Sequence, residues 1–400
     1  MKVAHVITRM IVGGAQENTL FSVQGLAAMP DYEVSLLTGP ETGSEGDLLA
    51  GVGDELDVVY VPPMIRSIHP MQDVRSLRWL LRHFRETSPD VVHTHSSKAG
   101  VVGRMAARRA QVPHVVHTLH SLVFHDYQPW PVRTTFRQVK RTMVPFTDFY
   151  VSVSDDIRER AIAAGIGRPE HHATVRSGFS TATFAAALVP PAEARERLGL
   201  PADRVVVGTV ARLFPLKGHD ELLPAAARVA RRHPDVLFAF VGSGPLEPDL
   251  RRAVRERGLE DNVAFVGRVP PEEVPVAFSA FDVLVHTSLR EGLARVIPQG
   301  VLAGLPVVCY DLDGSREVVV DGVNGYLVRP RDQDHLAERL DAVVGDEALR
   351  ARLGGVGADR VAVDFSVEEM VRQLDELYRR LADGARADTP DEARHRRRAG

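Results

Sequence analysis

Short apolar runs alternate with longer amphipathic stretches along most of the chain. Val3–Thr8 is an apolar run of strand length, and the stretch 14–27 places Leu20, Val23 and Leu26 on one helical face. Strands that alternate with helices favour a parallel sheet covered by helices on both faces. The pattern therefore predicts a doubly wound α/β fold.

The same alternation runs twice through the chain. In the first half, further strands are predicted near 34–38, 57–61, 90–93, 114–119 and 148–153, and helices near 70–86, 97–110, 132–144 and 155–164. In the second half, strands are predicted near 205–210, 236–241, 263–266, 283–286 and 306–310, and helices near 218–232, 246–257, 272–280, 293–303, 333–344, 347–361 and 366–382.

The loosest stretch lies between the two halves and contains Pro190, Pro191, a short charged helix predicted at 192–198, Gly199 and Pro201. A chain of 400 residues exceeds one ordinary hydrophobic core, so two domains are expected. The predicted organisation is a first domain at 1–185, a linker at 186–203, a second domain at 204–365, a C-terminal helix at 366–384 that packs back on the first domain, and a disordered tail at 385–400.

Composition narrows the class of protein. The formal net charge of −4 disfavours a general nucleic-acid binder, which needs a basic surface. The single cysteine, Cys309, excludes a disulfide within the chain and sits in an apolar run typical of a buried side chain. The apolar run at the N-terminus is short and broken by Arg9, unlike a signal peptide, so a cytoplasmic protein is expected.

Ligands of doubly wound sheets bind outside the carboxyl ends of the strands, so the loops after strands carry the candidate chemistry. After the first strand, Gly13 and Gly14 lead into a helix and allow close approach of an anion, although a plain tight turn explains them as well. This is not the dinucleotide fingerprint, and no acidic residue ends the second strand, so a nicotinamide enzyme is disfavoured.

Histidines follow two strands of the first half. His93 and His95 surround one strand end and His117 and His120 the next, with Lys98 close behind. Three of them, His93, His95 and His120, could hold a metal, but no carboxylate or thiol lies nearby in sequence to complete the set, so no metal site is predicted. We expect polar side chains that line a ligand site, with a structural role equally open for His93 and His117.

In the second half, Arg212 and Lys217 occupy the loop after the first strand, which enters a helix. Two cations beside free helix N–H groups favour a diphosphate site. The segment 281–299 is more specific. A buried strand ends at the acidic Glu291, and a helix is expected to start beside it with Arg295 and Gln299 on one face.

Taken together, these motifs resemble the retaining glycosyltransferases of family 4, the glycosyl transferases group 1, over roughly residues 3 to 370. The segments that carry the resemblance are Arg212 with Lys217-Gly218, Val241–Pro245, Phe265–Gly267, Arg290–Leu293, Ala303–Val308, Asp321–Gly325, and, more loosely, Gly13-Gly14 and His95–Gly100. The resemblance implies the GT-B fold, in which two Rossmann-like domains face each other across a cleft.

The resemblance also implies roles for individual residues. The catalytic set would be His120 beside the transferred sugar, Arg212 and Lys217 on the donor diphosphate, and Glu291 on the donor sugar. The further donor-binding positions would be Gly13, Gly14, Gly242, Val266, Gly267, Gly292, Leu293, Arg295 and Gln299, of which Val266 and Gly267 would read the base and Gln299 the ribose. His95 and Lys98 are predicted on the acceptor side.

The chain departs from the family pattern at two positions. Gln299 stands where a second Glu is usual, which bears on ribose binding, and Ser177-Gly178 replaces a frequent Asn-Gly turn. An amide still offers one acceptor oxygen and two N–H donors, so a weaker neutral contact to the ribose is expected.

The expected activity is transfer of a sugar, with retention, from a nucleotide sugar to a hydroxyl acceptor. The resemblance makes a uridine diphosphate sugar the default donor, with guanosine diphosphate mannose next. The acceptor is expected to be a saccharide, a lipid-linked saccharide or a small metabolite. Cations and helix ends can stabilise the departing diphosphate, so neither a cofactor nor a metal is expected. The alternatives are an epimerase or phosphorylase of the same fold, or a non-catalytic subunit, for which Gln299 is the only hint.

A basic segment, 131–144, is expected on the acceptor side. Arg133, Arg137, Lys140 and Arg141 are interleaved with apolar residues, without an acidic residue. The three arginines recur every four residues and could form one stripe on a helix that touches an anionic membrane surface. An ordinary solvated helix face is an equally good explanation.

Overall fold

The structure is a computed structural model that describes residues 1–41, 46–50, 52 and 55–384. These residues form two compact units, each with its own sheet and core. Unit 1 comprises Met1–Phe179 and the segment from Val367 onward, and unit 2 comprises Ser180–Ser366. The predicted tail at 385–400 lies outside the described residues.

The sheet of unit 1 contains, within the described residues, seven parallel strands in the order β3-β2-β1-β4-β5-β6-β7. The strands are β1 (Lys2–Ile7), β2 (Glu33–Thr38), β3 (Asp57–Tyr60), β4 (Val91–Thr94), β5 (His114–Leu119), β6 (Phe149–Ser152) and β7 (His172–Thr174). The helices are α1 (Gly14–Ala27), α2 (Pro70–Thr87), α3 (Ser97–Arg109), α4 (Trp130–Thr142), α5 (Asp155–Ala163) and α15 (Val367–Ala382).

Unit 2 repeats this architecture with, among its described residues, six parallel strands in the order β10-β9-β8-β11-β12-β13. The strands are β8 (Val205–Val210), β9 (Val236–Val241), β10 (Val263–Gly267), β11 (Val283–His286), β12 (Val307–Tyr310) and β13 (Gly325–Val328). The helices are α6 (Thr181–Ala186), α7 (Pro191–Leu198), α8 (His219–Arg232), α9 (Glu247–Glu256), α10 (Val274–Ser279), α11 (Val296–Leu302), α12 (Gln333–Gly345), α13 (Glu347–Gly354) and α14 (Ala358–Asp364).

The predicted fold class of two doubly wound α/β units is confirmed. Local chemistry explains where several helices begin. The Ser154 side chain accepts a hydrogen bond from the Ile157 N–H at 3.2 Å, and Asp346 accepts one from the Leu349 N–H at 2.9 Å. Such caps satisfy N–H groups that a helix leaves unpaired at its start.

The structure places the boundary between the units after Phe179, not at residue 185, and the predicted linker at 186–203 contains helix α7. The prolines and the glycine suggested a linker around the short helix predicted at 192–198, but one charged side chain anchors this helix to unit 2. Arg195 is buried, with its Nη2 2.7 Å from Asp282 Oδ2, and its Nε donates to the Ala280 carbonyl.

Helix α15 completes unit 1 although it comes last in the chain. It crosses α1 so closely that a Cβ on Gly25 would lie 2.3 Å from a methyl carbon of Val371. Tyr378 on the same helix is fully buried, and its hydroxyl lies 2.5 Å from His93 Nδ1. A buried polar contact of this kind fixes where α15 sits on the sheet.

Two basic side chains are buried on the side of the same sheet that faces α3 and α4. Arg104 and Lys140 are both buried, and neither forms an ion pair with a carboxylate among the described residues. Lys140 Nζ lies 3.3 Å from His117 Nε2, while Arg104 Nη2 has no hydrogen-bond partner among those residues. Burial, reinforced by the charge of Arg104, lowers the pKa of Lys140 from 10.5 to about 7.

Lys140 should therefore make stability depend on pH. A base with a lowered folded-state pKa destabilises the fold progressively as pH falls from 10.5 to about 7, because the unfolded chain binds the proton more readily. Urea unfolding of the wild type and of Lys140→Met at pH 7 and pH 9.5 tests this. From pH 7 to pH 9.5, the free energy of unfolding of the wild type should rise by about 3 kcal/mol relative to that of the variant.

The matched control is Lys2→Met, which removes an ammonium group from a side chain that is 51% exposed. The difference between wild type and this control should not change over the same pH range. An equal difference at both pH values for Lys140→Met would show that Lys140 is not held neutral by burial.

Candidate functional site

The loop after β8 and the loop after β11 are bonded to each other at the edge of the unit 2 sheet. The Thr287 hydroxyl donates to the Gly218 carbonyl at 2.7 Å, and the Leu289 N–H donates to the Leu216 carbonyl at 2.9 Å. Gly218 has φ 78° and a Cβ there would lie 1.9 Å from the Thr287 carbonyl oxygen. Only glycine permits this approach, which holds the two loops together.

This packing brings two of the predicted catalytic residues into contact. Lys217 Nζ donates to Glu291 Oε1 at 2.6 Å, and the Glu291 N–H donates to Asp313 Oδ2 at 2.6 Å. The two side chains of the ion pair are only 24% and 18% exposed. His286 Nε2 lies 3.6 Å from the same Glu291 oxygen, which is longer than a hydrogen bond.

The charges around Glu291 decide its ionisation. Burial alone would raise the pKa of this carboxyl, but Lys217 and His286 oppose burial and hold the pKa well below its ordinary value of 4.5. Glu291 is therefore a carboxylate that can only accept hydrogen bonds. Nearby His219 is buried, and burial lowers its pKa to about 4, so its imidazole is neutral.

Arg212 lies on the same loop as Lys217 but remains exposed, with its guanidinium 4.7 Å from the ring centroid of Phe214. A guanidinium stacked on an aromatic ring is oriented without losing its outward N–H groups. The loop therefore presents Lys217, which is half-buried, and Arg212, which is exposed and stacked on Phe214.

The predicted base-reading positions lie beside this loop. The Gly242 N–H donates to the Gly267 carbonyl at 2.8 Å, and a Cβ on Gly242 would lie 2.0 Å from the Ala211 carbonyl oxygen. Gly242 and Gly267 have φ of 143° and 85°, which favour glycine. Val266 is half-buried in β10.

The helix expected to start beside Glu291 begins later, at Val296, and is only seven residues long. Gly292 and Leu293 lie instead in the buried, non-helical segment before it, and Arg295 is its N-cap residue. The Gln299 N–H donates to the Arg295 carbonyl at 3.0 Å, so these two residues are one turn apart as expected. The helix N-terminus therefore does not adjoin Glu291, which removes that part of the sequence argument.

In unit 1, the glycines after β1 are less distinctive than the motif suggested. Helix α1 begins at Gly14, and Gly13 before it has an extended φ of 173° that any residue can adopt. Lys98 also differs from expectation. Its ammonium lies 2.5 Å from Asp73 Oδ1, and its side chain is only 10% exposed. Lys98 thus ties α3 to α2, and its role toward an acceptor stays a prediction.

The histidines converge on one face of the unit 1 sheet. His5 pairs in register with His93, and side chains two residues apart in a strand share a face, so His95 lies on that face too. His5 Nδ1 lies 3.0 Å from His95 Nε2, and His95 Nδ1 lies 3.0 Å from His120 Nε2. His117 lies in β5 beside Thr94, on the side of Lys140.

The geometric trio that could hold a metal is His5, His93 and His95, whose ring nitrogens lie within 4.8 Å of one another. The 3.0 Å separation of the His5 and His95 nitrogens is shorter than the roughly 3.3 Å expected between two ligands of one tetrahedral zinc. Both nitrogens of His93 already lie at hydrogen-bond distance from hydroxyl groups, of Tyr378 and of Thr118. The arrangement fits a hydrogen-bonded chain better than a metal site.

Sequence reasoning missed three residues of these sites: His5, His286 and Asp313. His5 lies mid-strand in β1, where only the register with His93 reveals its place. Asp313 follows β12, and its position after a strand was a signal that could have marked it.

Comparison with known proteins identifies the class. A family model described as "Glycosyl transferase 4-like domain" matches residues 13–178, and one described as "Glycosyl transferases group 1" matches residues 191–359. A D-inositol 3-phosphate glycosyltransferase from Nocardia farcinica is 30% identical over 340 residues, which cover 77% of this chain and 72% of the relative.

Further similarity extends over nearly the whole chain. The UDP-Gal:alpha-D-GlcNAc-diphosphoundecaprenol alpha-1,3-galactosyltransferase of Escherichia coli is 27% identical over 383 residues, covering 94% of this chain and 96% of that protein. The crystal structure of Anabaena HepE with UDP-glucose superposes with a TM-score of 0.79 at 25% identity and covers 94% and 99% of the two chains. WaaG, at 17% identity and a TM-score of 0.73 over 94% and 99%, supports the fold alone.

Two Rossmann-like units of this topology, matched over their length by sugar transferases, define a glycosyltransferase with the GT-B fold. The chain belongs to the glycosyl transferases group 1 family, with a glycosyl transferase 4-like domain in its first half. The epimerase, phosphorylase and non-catalytic alternatives are not favoured, because the relatives compared above that are named by activity are transferases.

The ion pair in unit 2 generates a prediction about stability. In Lys217→Met, Glu291 would lose its counter-charge while remaining buried, so its pKa should rise above 4.5. We expect the variant to be less stable by about 1–3 kcal/mol at pH 7.5. The loss of stability relative to the wild type should be smaller at pH 4.5, because the buried carboxyl of the variant takes up a proton there. Urea unfolding at both pH values measures it.

Glu291→Gln is the control, because a neutral amide in place of the carboxylate removes the group that titrates. Adding Lys217→Met to this background should give a stability change that is the same at both pH values. A deficit of Lys217→Met that does not narrow at pH 4.5 would contradict the account of the Glu291 pKa.

Proposed function

We propose that this protein transfers a sugar, with retention of anomeric configuration, from a UDP-sugar to a hydroxyl group of a saccharide acceptor carried on a lipid. The observation that carries the proposal is the Lys217–Glu291 ion pair at the carboxyl ends of β8 and β11. It offers a cation for a phosphate and an obligate acceptor for sugar hydroxyls within 2.6 Å of each other.

The donor is inferred from the relatives and from the site. HepE was crystallised with UDP-glucose, and the Escherichia coli relative is named for UDP-Gal. Negative charge grows on the departing diphosphate as the glycosidic bond breaks, and fixed cations lower the free energy of that state. Arg212 and Lys217 supply these cations in our proposal, while Glu291 accepts hydrogen bonds from the sugar hydroxyls.

The remaining donor contacts follow the family pattern. A Cβ placed on Gly267 would meet nothing within 4 Å, which leaves space for a flat base beside Val266. Gln299 contacts the ribose through its amide. The roles of Gly13, Gly14 and His120 of unit 1 toward the donor stay predictions that rest on the family pattern alone. These assignments require neither a metal nor an organic cofactor.

Retention is proposed because the motifs of the chain resemble those of the retaining family. A covalent intermediate on Glu291 is disfavoured, since this carboxylate is paired with Lys217 and so is a poor nucleophile. The acceptor hydroxyl attacks the anomeric carbon on the face that the diphosphate leaves. The bond from this carbon to the phosphate oxygen breaks, the new bond to the acceptor oxygen forms, and the departing phosphate takes the hydroxyl proton. Charge and protons balance without a further reactant.

Turnover with UDP-sugars and a lipid-linked saccharide tests the proposal. Release of UDP should depend on the acceptor, and proton NMR of the product should show the anomeric configuration of the donor. Arg212→Ala should lower kcat/KM by about 10- to 150-fold, the worth of one charge-assisted hydrogen bond. Arg228→Ala, which removes an arginine paired with Asp334 on the surface of the same unit, should leave it unchanged.

An inverted product would refute the retaining mechanism while leaving sugar transfer intact. UDP release that ignores the acceptor would refute transfer to an acceptor and indicate hydrolysis or epimerisation. Wild-type kcat/KM in Arg212→Ala would remove Arg212 from the donor site.

The acceptor proposal includes contact with a membrane surface on the cytoplasmic side. Among the described residues, no helix combines the length and apolar content needed to cross a bilayer. Helix α4 instead exposes a row of apolar side chains: Trp130, Val132, Phe136 and Val139. The last three recur at helical spacing, so they form one stripe that can enter the headgroup region.

The structure corrects the basic stripe that the sequence predicted on this helix. Lys140 is buried, Arg133 is paired with Asp126 at 2.6 Å, and Arg141 Nε donates to the Ala164 carbonyl. A side chain whose charge is already engaged contributes less to lipid binding. The proposed membrane contact therefore depends more on the exposed apolar row than on the arginines.

Replacing Trp130 and Phe136 together by serine should lower binding to vesicles that contain phosphatidylglycerol at least several-fold, because two exposed apolar groups no longer enter the headgroup region. Vesicle sedimentation measures this binding, with phosphatidylcholine vesicles for comparison. Val363→Ser, which changes an exposed apolar residue of unit 2, is the control and should not alter binding. Absence of wild-type binding to either vesicle would refute the membrane contact.

A further inference from the structure

Three imidazole rings form a continuous hydrogen-bonded chain inside unit 1. His5 Nδ1 lies 3.0 Å from His95 Nε2, and His95 Nδ1 lies 3.0 Å from His120 Nε2. The first two rings are stacked, with centroids 5.2 Å apart and planes 15° apart. His5 and His95 are fully buried, whereas His120 is half-buried.

The inner rings of this chain are neutral. Burial lowers the pKa of His5 to about 3 and that of His95 well below its ordinary value. A neutral imidazole donates through one nitrogen and accepts through the other. The chain therefore has a direction, because each ring must donate at one end and accept at the other.

His93 fixes the geometry of the chain from the side. Its ring stacks on His95 with centroids 4.4 Å apart. Its Nδ1 lies 2.5 Å from the Tyr378 hydroxyl, and its Nε2 lies 2.7 Å from the Thr118 hydroxyl. Both ring nitrogens of His93 are thus engaged away from the chain, and its plane holds the His95 ring in place.

The inner end of the chain decides its direction. His5 Nε2 is buried and has no hydrogen-bond partner among the described residues. If the bonds point inward, this atom carries a proton with no acceptor. If they point outward, it carries only a lone pair. An orphaned buried donor is rarer in proteins than an under-satisfied acceptor, so the outward direction is favoured.

We propose that the chain His5–His95–His120 is a polarised relay that holds His120 with its proton on Nδ1. In this arrangement His5 Nδ1–H donates to His95 Nε2, and His95 Nδ1–H donates to His120 Nε2. Because Nε2 of His120 is then an acceptor within the chain, the ring can act toward a ligand only as an Nδ1–H donor. His5 and His95 are positioning residues that set this polarity.

The consequence for chemistry rests on the proposed function. His120 stabilises an oxygen of the donor sugar or of the acceptor by donating a hydrogen bond to it. It does not act as a general base, because the nitrogen that could take a proton is occupied by His95 Nδ1–H. This agrees with a mechanism in which the departing phosphate takes the acceptor's proton.

Histidine tautomers can be read directly from the free protein, without substrate. In protein labelled with ¹⁵N-histidine, long-range proton–nitrogen correlations at pH 7.5 should show His120 with a protonated Nδ1 and an unprotonated Nε2. His120→Asn identifies the signals. A proton on Nε2, or on both nitrogens, would overturn the proposal in the wild type alone, whatever the variants do.

His5→Leu and His5→Met are a matched pair that tests the role of the inner end. Leucine offers neither donor nor acceptor, so His95 Nε2 keeps its lone pair inward and His120 keeps its proton on Nδ1. The thioether sulfur of methionine is a weak acceptor for His95 Nε2–H, so part of the His120 population should move to the Nε2–H tautomer. A shift in the leucine variant, or an unchanged tautomer in the methionine variant, would overturn the relay.

Kinetics separate this proposal from the proposed function. If the relay holds and the protein transfers sugar, His5→Met should lower kcat by about 3- to 10-fold relative to His5→Leu, with little change in donor KM, since one neutral hydrogen bond is lost. Equal kcat in the two variants would overturn the role of the relay in catalysis. The NMR measurement of the His120 tautomer tests the relay even if the protein turns over no UDP-sugar.

Discussion

The reversal of strand order beside β1 and β8 is the constraint on which both candidate sites depend. In each sheet, the first strand lies between the next strand along the chain and a later one. These neighbours are β2 and β4 for β1, and β9 and β11 for β8. The connections on the two sides leave in opposite directions and open a space at the carboxyl edge. The histidine chain and the Lys217–Glu291 pair both lie at such an edge.

The two units treat buried charge in opposite ways. In unit 2, the carboxylate of Glu291 is matched by the ammonium of Lys217, and the Glu291 N–H donates to Asp313, which fixes the loop. In unit 1, Lys140 is buried beside His117 without a carboxylate partner. Loss of its proton therefore lowers the free-energy cost of burying this side chain. The first arrangement keeps a pair of opposite charges, and the second removes a single charge.

Periodicity predicted the fold class and nearly all the strands and helices from the sequence. It failed where local chemistry overrode the pattern. It missed the strands β7 and β13, which have three and four residues and lie at the edges of the two sheets. The predicted helix at 347–361 is two helices, α13 and α14, because Gly357 adopts φ of 105°. The delayed start of α11 at Val296 likewise could not be seen, since Glu291 and Gly292 fit a helix start on composition alone.

The candidate site was predictable where a motif lies within one loop, and it was not where residues meet across strands. Lys217 and Glu291, which the structure brings into contact, were singled out because each follows a strand. His5 was not, because a histidine inside an apolar strand carries no signal until its neighbour in the sheet is known. Its pairing with His93 brings three chain segments to one face, where period-two alternation aligns His95 and Thr118 with it. The buried Nε2 of His5 in β1 then sets the tautomer of His120 at the sheet edge through a chain of neutral imidazoles. Reasoning from single residues cannot anticipate this.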